Sequence, residues 1–332
     1  MRTRILYMLV WLPSLLAIAG NVWQHTWHWV HLVYVLVFLV LADWLLPNVR
    51  KQPEVRDSAL WPDAVLVVAT ALHITAIVSL LYSCYTAQGI QLSHVVAAIS
   101  TGLSSGVNGI TVAHELIHRV QRRFRMAGII NLVLVCYGHF YVEHIKGHHK
   151  KVGTPDDPAT ARKGESLYAF QLRTIPQQWW SAYQIEKKKK SFLNNFVIQI
   201  TLLELMLTGV LYSISSTAAA VFLIQSLVAV LLLEYVNYIE HYGLARHEQE
   251  RVTARHSWQS DVLSSRFTLV NLSRHADHHF VASKPYHLLT SHETSPEMPS
   301  GYFGMFYIAL LPPLWFRMVD PLIKQEPAHK RA

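Results

Sequence analysis

Four short stretches of the sequence concentrate imidazoles at spacings suited to metal binding. His114 and His118 stand four apart in HELIH, and His144, His148 and His149 occupy EHIKGHH. His241 lies in NYIEHYGL, and His275, His278 and His279 fill RHADHH. Residues three or four apart on a helix share a face, with Cβ atoms about 5–6 Å apart, so two such imidazoles can reach one ion. Adjacent histidines point about 100° apart on a regular helix. The pairs His148–His149 and His278–His279 therefore suit ligands for two different ions, or a break in the helix. A first-row metal takes at most about six ligands, so nine imidazoles need two ions if all of them bind. An imidazole set without thiolates fits Fe, Cu, Zn or Ni, and ligand type alone does not choose among them. Glu115, Glu143 and Glu240 each flank one of these histidines and are read as partners that orient imidazoles, with direct ligation as the alternative.

Two other chemistries meet the same residues. HELIH fits the zinc-peptidase pattern HExxH, but that reading leaves the other seven clustered histidines without a role. Cys84 and Cys136 both sit in apolar runs, which gives no disulfide framework and no cysteine-held iron–sulfur centre. The remaining eleven of the 20 histidines are scattered, and His25, His28 and His31 read as residues of the membrane interface.

The elements that must position the clusters follow from composition. Of 332 residues, 52% are hydrophobic and 15% charged, whereas a soluble domain carries about 25% charged residues. Disorder is excluded by the same balance. Apolar runs of about 20 residues cross a ~30 Å hydrocarbon core as helices, because lipid leaves no partner for unpaired backbone groups. Six such runs are present, at about Ile5–Val22, His28–Leu46, Ala64–Tyr85, Leu92–Val112, Phe196–Ile214 and Ala218–Tyr238. Two more, Met126–Val142 and Tyr302–Met318, read as re-entrant or interfacial, the second because of Pro312–Pro313. The expected fold is all-α: one polytopic domain over residues 1–332, with six transmembrane helices and a histidine-rich cap from segments 143–195 and 243–332.

Lys and Arg set the orientation. The loops after the first, third and fifth spans contain none, whereas the other side carries Arg2, Arg4, Arg50, Lys51, Arg56, Arg119, Arg122, Arg123, Arg125 and Lys187–Lys190. The positive-inside rule places both termini and the cap in the cytoplasm. The lysine run reads as an anchor at a lipid surface, with no nucleic-acid partner expected. All four histidine clusters then fall at one membrane face.

At these residues the sequence resembles the membrane-bound alkane 1-monooxygenases, non-haem diiron alkane hydroxylases of the wider membrane desaturase/hydroxylase superfamily. The likeness runs from about Ala113 to Tyr302. It is carried by GHHKKVGTPDDPATARKGESLYAF (Gly147–Phe170), NYIEHYGL (Asn237–Leu244), RHSWQS (Arg255–Ser260) and NLSRHADHH (Asn271–His279). The sequence departs from the usual pattern at Thr111–Val112–Ala113, Ile117 and Arg119, and after the second span keeps only Asp43 before Leu-Leu-Pro.

The resemblance implies two iron ions held by His114, His118, His144, His148, His149, His241, His275, His278 and His279. It implies an enzyme of the bacterial inner membrane that turns a terminal methyl group into an alcohol with O2. Electrons would come from a rubredoxin, or a ferredoxin-type protein, with its reductase. Hydroxylation of aryl methyl groups, and fatty acyl desaturation or decarboxylation, are alternatives on the same scaffold. A transporter would place ionisable groups at mid-membrane rather than at one face. Trp44 and Leu45 are candidates for limiting substrate length.

Overall fold

The computed structural model describes residues 2–24, 26–50, 60–187 and 191–323; His25, Lys51, Arg56 and Lys188–Lys190, on which expectations were placed, lie outside them. Six helices are long and apolar enough to cross a membrane: α1 (Ile5–Trp23), α2 (Trp27–Leu45), α3 (Leu60–Cys84), α4 (Leu92–Ile117), α7 (Phe196–Ile214) and α8 (Ser216–His241). The shorter α5 (Arg122–Val133) and longer α6 (Leu167–Lys187) stand between α4 and α7. After α8 come α9 (Leu263–Thr268), α10 (His275–Phe280) and α11 (Pro312–Val319). Among the described residues only two isolated β-bridges occur, so the chain is all-α.

Burial ranks the spans. The most apolar stretch of α4 is 78% buried and that of α8 56%, against 17% for α7. The first two therefore form the centre of the bundle, and α7 presents most of its surface outward. Small residues let α4 and α8 approach. A Cβ on Gly102 would meet Val228 Cβ at 2.6 Å, and one on Gly106 would meet Leu232 Cδ1 at 2.7 Å. The Gly102–Gly106 spacing is the small-residue pattern that brings membrane helices together where burial from water gives no drive.

Several boundaries differ from the sequence expectation. α4 runs on to Ile117 and α8 to His241, so His114 and His241 occupy the last turns of these helices. The Met126–Val142 run, as expected, does not cross. The twelve residues of α5 reach about 18 Å at helical rise, short of a ~30 Å core. Gly128 lets α5 pack back on α4, since a Cβ there would stand 2.8 Å from Ile117 Cγ2. The chain then reverses at Cys136, whose φ is 53°. Tyr302–Met318 likewise breaks into Phe306–Ala309 and α11.

His28 and His31, read as interfacial, are buried against neighbouring helices in the first turns of α2, and His31 Nδ1 lies 2.8 Å from Ser100 Oγ.

Candidate metal centre

The last turns of α4 and α8 supply His114 and His241, and His118 follows α4 directly. The other clusters enter from the cap. Residues 143–148 are wound as a π-turn, and the His149 amide donates to the His144 carbonyl five residues back. This wider turn puts His144 and His149 on one face, with their Nε2 atoms 3.0 Å apart. His148 is turned away from them, its Nε2 3.2 Å from His279 Nε2. Gly147 makes the turn possible beside Glu143: a Cβ there would stand 2.6 Å from the Glu143 carboxylate. In α10, His278 and His279 diverge in the same way.

Two groups result. His114, His118, His144 and His278 can each direct one ring nitrogen to a common point, as can His148, His241, His275 and His279. His149 stands with the first group, its Nε2 3.2 Å from that of His118 and 3.1 Å from that of His278. The groups adjoin, with the His149 and His279 rings 4.4 Å apart. Each adjacent pair is thus divided between the two groups.

The donor set fits metal ions better than it fits hydrogen bonding. A single imidazole nitrogen either carries a proton or offers a lone pair. The Nε2 atoms of His118, His144 and His149 form a triangle with sides of 3.0, 3.0 and 3.2 Å. Two of any three must be alike, so the triangle cannot close with three hydrogen bonds. One cation uses three lone pairs at once. An ion–nitrogen length of about 2.1 Å puts imidazoles at right angles about 3.0 Å apart. His114 Nε2 and His241 Nε2 are buried without a hydrogen-bond partner among the described residues, a costly state that a bound ion would relieve. Burial and the neighbouring imidazoles hold His144, His149, His275, His278 and His279 well below the ordinary imidazole range. His118 is pushed down to about 3 by the same causes. Neutral rings are what a metal requires.

Neighbours fix which nitrogen is free. His148 Nδ1 faces Asp157 Oδ2 at 2.9 Å and His241 Nδ1 faces the His256 carbonyl at 3.2 Å. Both oxygens only accept, so each Nδ1 carries the proton and each Nε2 keeps its lone pair. Burial alone would raise the Asp157 carboxyl, but His148 and a 2.6 Å bond from Thr160 Oγ1 hold it below the usual carboxylate range. Of the flanking acids, Glu240 Oε2 lies 3.2 Å from His275 Nε2 while its Oε1 accepts from Tyr302 at 2.9 Å. Glu115 instead accepts from Arg119 at 3.0 Å, and Glu143 packs on Gly147.

A cavity of about 780 Å³, mouth included, runs between α2, α4 and α8 to this centre. His114 and His144 of one group and His275 of the other line its near end. Val35, Gly106 and Leu232 line it farther along the spans, and Val107, Ile110, Leu233, Phe140, Phe303 and Phe306 contribute to the walls. Gly106 precedes His114 by eight residues of α4, of which Ser105–Ile110 are wound as a wider π-turn, so the two stand less than about 12 Å apart along the axis.

The comparisons with known proteins agree with this arrangement. Residues 90–309 match the fatty acid desaturase family. Alkane 1-monooxygenase 2 of Pseudomonas aeruginosa is 33% identical over 344 residues, covering 95% of this chain and 91% of that one. Alkane 1-monooxygenase 1 of the same organism is 41% identical over 239 residues, 68% of this chain and 63% of its own. The hydroxylase component of xylene/toluene monooxygenase from Pseudomonas putida is 29% identical over 231 residues, 67% and 62% of the two chains.

The chain belongs to the alkane 1-monooxygenase family. It is an oxygen-dependent monooxygenase built as an integral membrane protein.

All nine histidines singled out in the sequence come together. Trp44 and Leu45 do not line the cavity: Leu45 is 79% exposed, and the Trp44 indole donates to the Gly304 carbonyl at 3.1 Å. Asp157 and Tyr302 were given no role from sequence. Only Asp157 left a local signal, an acid three residues before Thr160 in a Pro-containing turn, the kind of carboxylate–hydroxyl pair that closes turns.

Proposed function

We propose that the chain hydroxylates the terminal methyl group of an apolar hydrocarbon: R–CH3 + O2 + two electrons + two protons gives R–CH2OH and water. The observation that carries this reading is the long apolar cavity ending on imidazoles of both histidine groups. His114, His118, His144, His149 and His278 would hold one iron, and His148, His241, His275 and His279 the other. Zinc fits the donors but not the reaction, which needs a redox metal. Two bound irons would supply what side chains cannot, the delivery of electrons to O2 and the activation of an unactivated C–H bond.

The protein's own residues do the rest. The walls of α2, α4 and α8 admit a hydrocarbon from lipid and exclude water. The cavity reaches from Gly106 to His114 along α4, so a chain lying along it meets the histidines with its methyl end first. Asp157 and the His256 carbonyl keep His148 and His241 aimed.

The whole chain acts as one domain of the bacterial inner membrane, with the histidine cap and both termini in the cytoplasm. Arg119, Arg122, Arg123 and Arg125 at the cap end support that orientation. The same charge suits a small acidic rubredoxin as electron donor, with its reductase behind it.

The Phe140, Phe303 and Phe306 rings in the cavity favour one second reading, hydroxylation of aryl methyl groups. Expression in a host supplying rubredoxin and its reductase, fed with alkanes, xylenes and fatty acids, tests both readings by mass spectrometry. Primary alcohols are expected, and only unsaturated products would remove the hydroxylase reading.

A further inference from the structure

Asp43 lies near the end of α2, is 2% exposed, and takes no part in the metal centre. Its carboxylate nevertheless gathers four donors from two distant segments. Ser264 Oγ and the Ser265 amide donate to Oδ1, the latter at 3.1 Å; Ser265 Oγ and the Gly304 amide donate to Oδ2 at 2.7 and 3.0 Å. The Asp43 backbone carbonyl accepts from Ser300 Oγ at 3.1 Å. Gly301 presses so closely on the carboxylate that a Cβ there would collide with Oδ2. Hydrogen bonds to a buried carboxylate are among the stronger ones, and stranding their donors is costly.

Residues 300–306 so fastened form part of the cavity. Tyr302, Phe303 and Phe306 all line it. Ser265 Oγ, while donating to Asp43, accepts the Tyr302 amide at 2.8 Å. The Tyr302 hydroxyl in turn donates to Glu240 beside His275, and the Tyr302 carbonyl accepts from Tyr235. A chain of direct contacts thus leads from Asp43 to the wall against which a substrate's last carbons rest.

We propose that Asp43 is a positioning residue of this cavity: it holds the 300–306 wall in register and thereby sets which carbon of a bound chain meets the histidine centre. The inference rests on the hydroxylase reading. Asp43→Asn keeps the volume but places an amide N–H against donors that need an acceptor.

Hydrogen–deuterium exchange of the peptide covering 298–310, in full-length protein in lipid nanodiscs, reads the holding directly. Exchange about tenfold faster than wild type is expected, the scale of losing one strong hydrogen bond. With octane as substrate, the ratio of terminal to internal alcohols should fall several-fold and KM rise, with metal content unchanged. Unaltered exchange overturns the proposal, and so does faster exchange with an unaltered product ratio. If Asp43→Asn does not accumulate in the membrane, Ser265→Ala decides by the same two readouts, because it removes the hydroxyl that joins Asp43 to Tyr302 and leaves the carboxylate in place. A wild-type protein that makes no alcohol from any hydrocarbon sinks the hydroxylase reading instead, and exchange on the same preparations still decides whether Asp43 holds the wall.

Discussion

Asp157 reaches the metal centre through one hydrogen bond, and that bond decides which nitrogen of His148 is free. Removing such a partner commonly weakens metal binding about 10–100-fold without removing a ligand. Asp157→Asn should therefore bind iron about that much more weakly in a chelator competition, while His241→Ala should lose one ion's worth of metal outright. Equal affinity of Asp157→Asn and wild type would mean that His148 needs no orienting partner. The histidines that gather at the centre were legible in the residues, because imidazoles one to five positions apart within a stretch are a local property. Their division into two groups was not. The π-turn over 143–148 pairs His144 with His149, and a regular helix would have paired His144 with His148.

At the scale of elements, the seam between α4 and α8 governs both packing and the far end of the cavity. Leu232 lies on Gly106, and both line the cavity. Leu232→Ala should lengthen the space available to a chain and move the preferred alkane to a longer one. It should also cost about 2–3 kcal/mol of stability for the hollow left behind. A competition assay with linear alkanes of increasing length checks the first expectation, and unchanged preference would place the limit elsewhere. A second seam is polar. Glu234 on α8 is fully buried and accepts from Tyr137 at 2.8 Å, from Gln178 on α6 at 2.8 Å and from Asn237 at 3.1 Å. Glu234→Leu strands three donors at about 1–3 kcal/mol each, so its thermal unfolding should fall well below that of Glu234→Gln. Spans were legible as apolar runs, since length and composition alone answer to the bilayer. Their contacts were not, because the Gly106–Leu232 and Glu234–Gln178 pairs join residues 126 and 56 positions apart. Trp44, a candidate for limiting substrate length, lies off the cavity for the same reason: bulk within an expected span says nothing about which side faces the cavity.

For the whole molecule, the arrangement separates functions by depth: lipid-facing apolar surface, an apolar cavity, and a histidine centre where the cap meets the spans. The net charge of +8 has a kinetic consequence if the basic end docks an acidic donor. Screening sets in over about 10 Å at 0.1 M salt, so the rate of reduction by rubredoxin should fall as salt rises; a rate indifferent to salt would leave the charge with a role in membrane orientation alone. Isotope tracing reads most directly what the centre does with O2 and a C–H bond. Purified protein with iron, rubredoxin and reductase, given octane under ¹⁸O₂, should yield 1-octanol carrying one ¹⁸O atom. An alkene product, or an alcohol whose oxygen comes from water, would contradict the account.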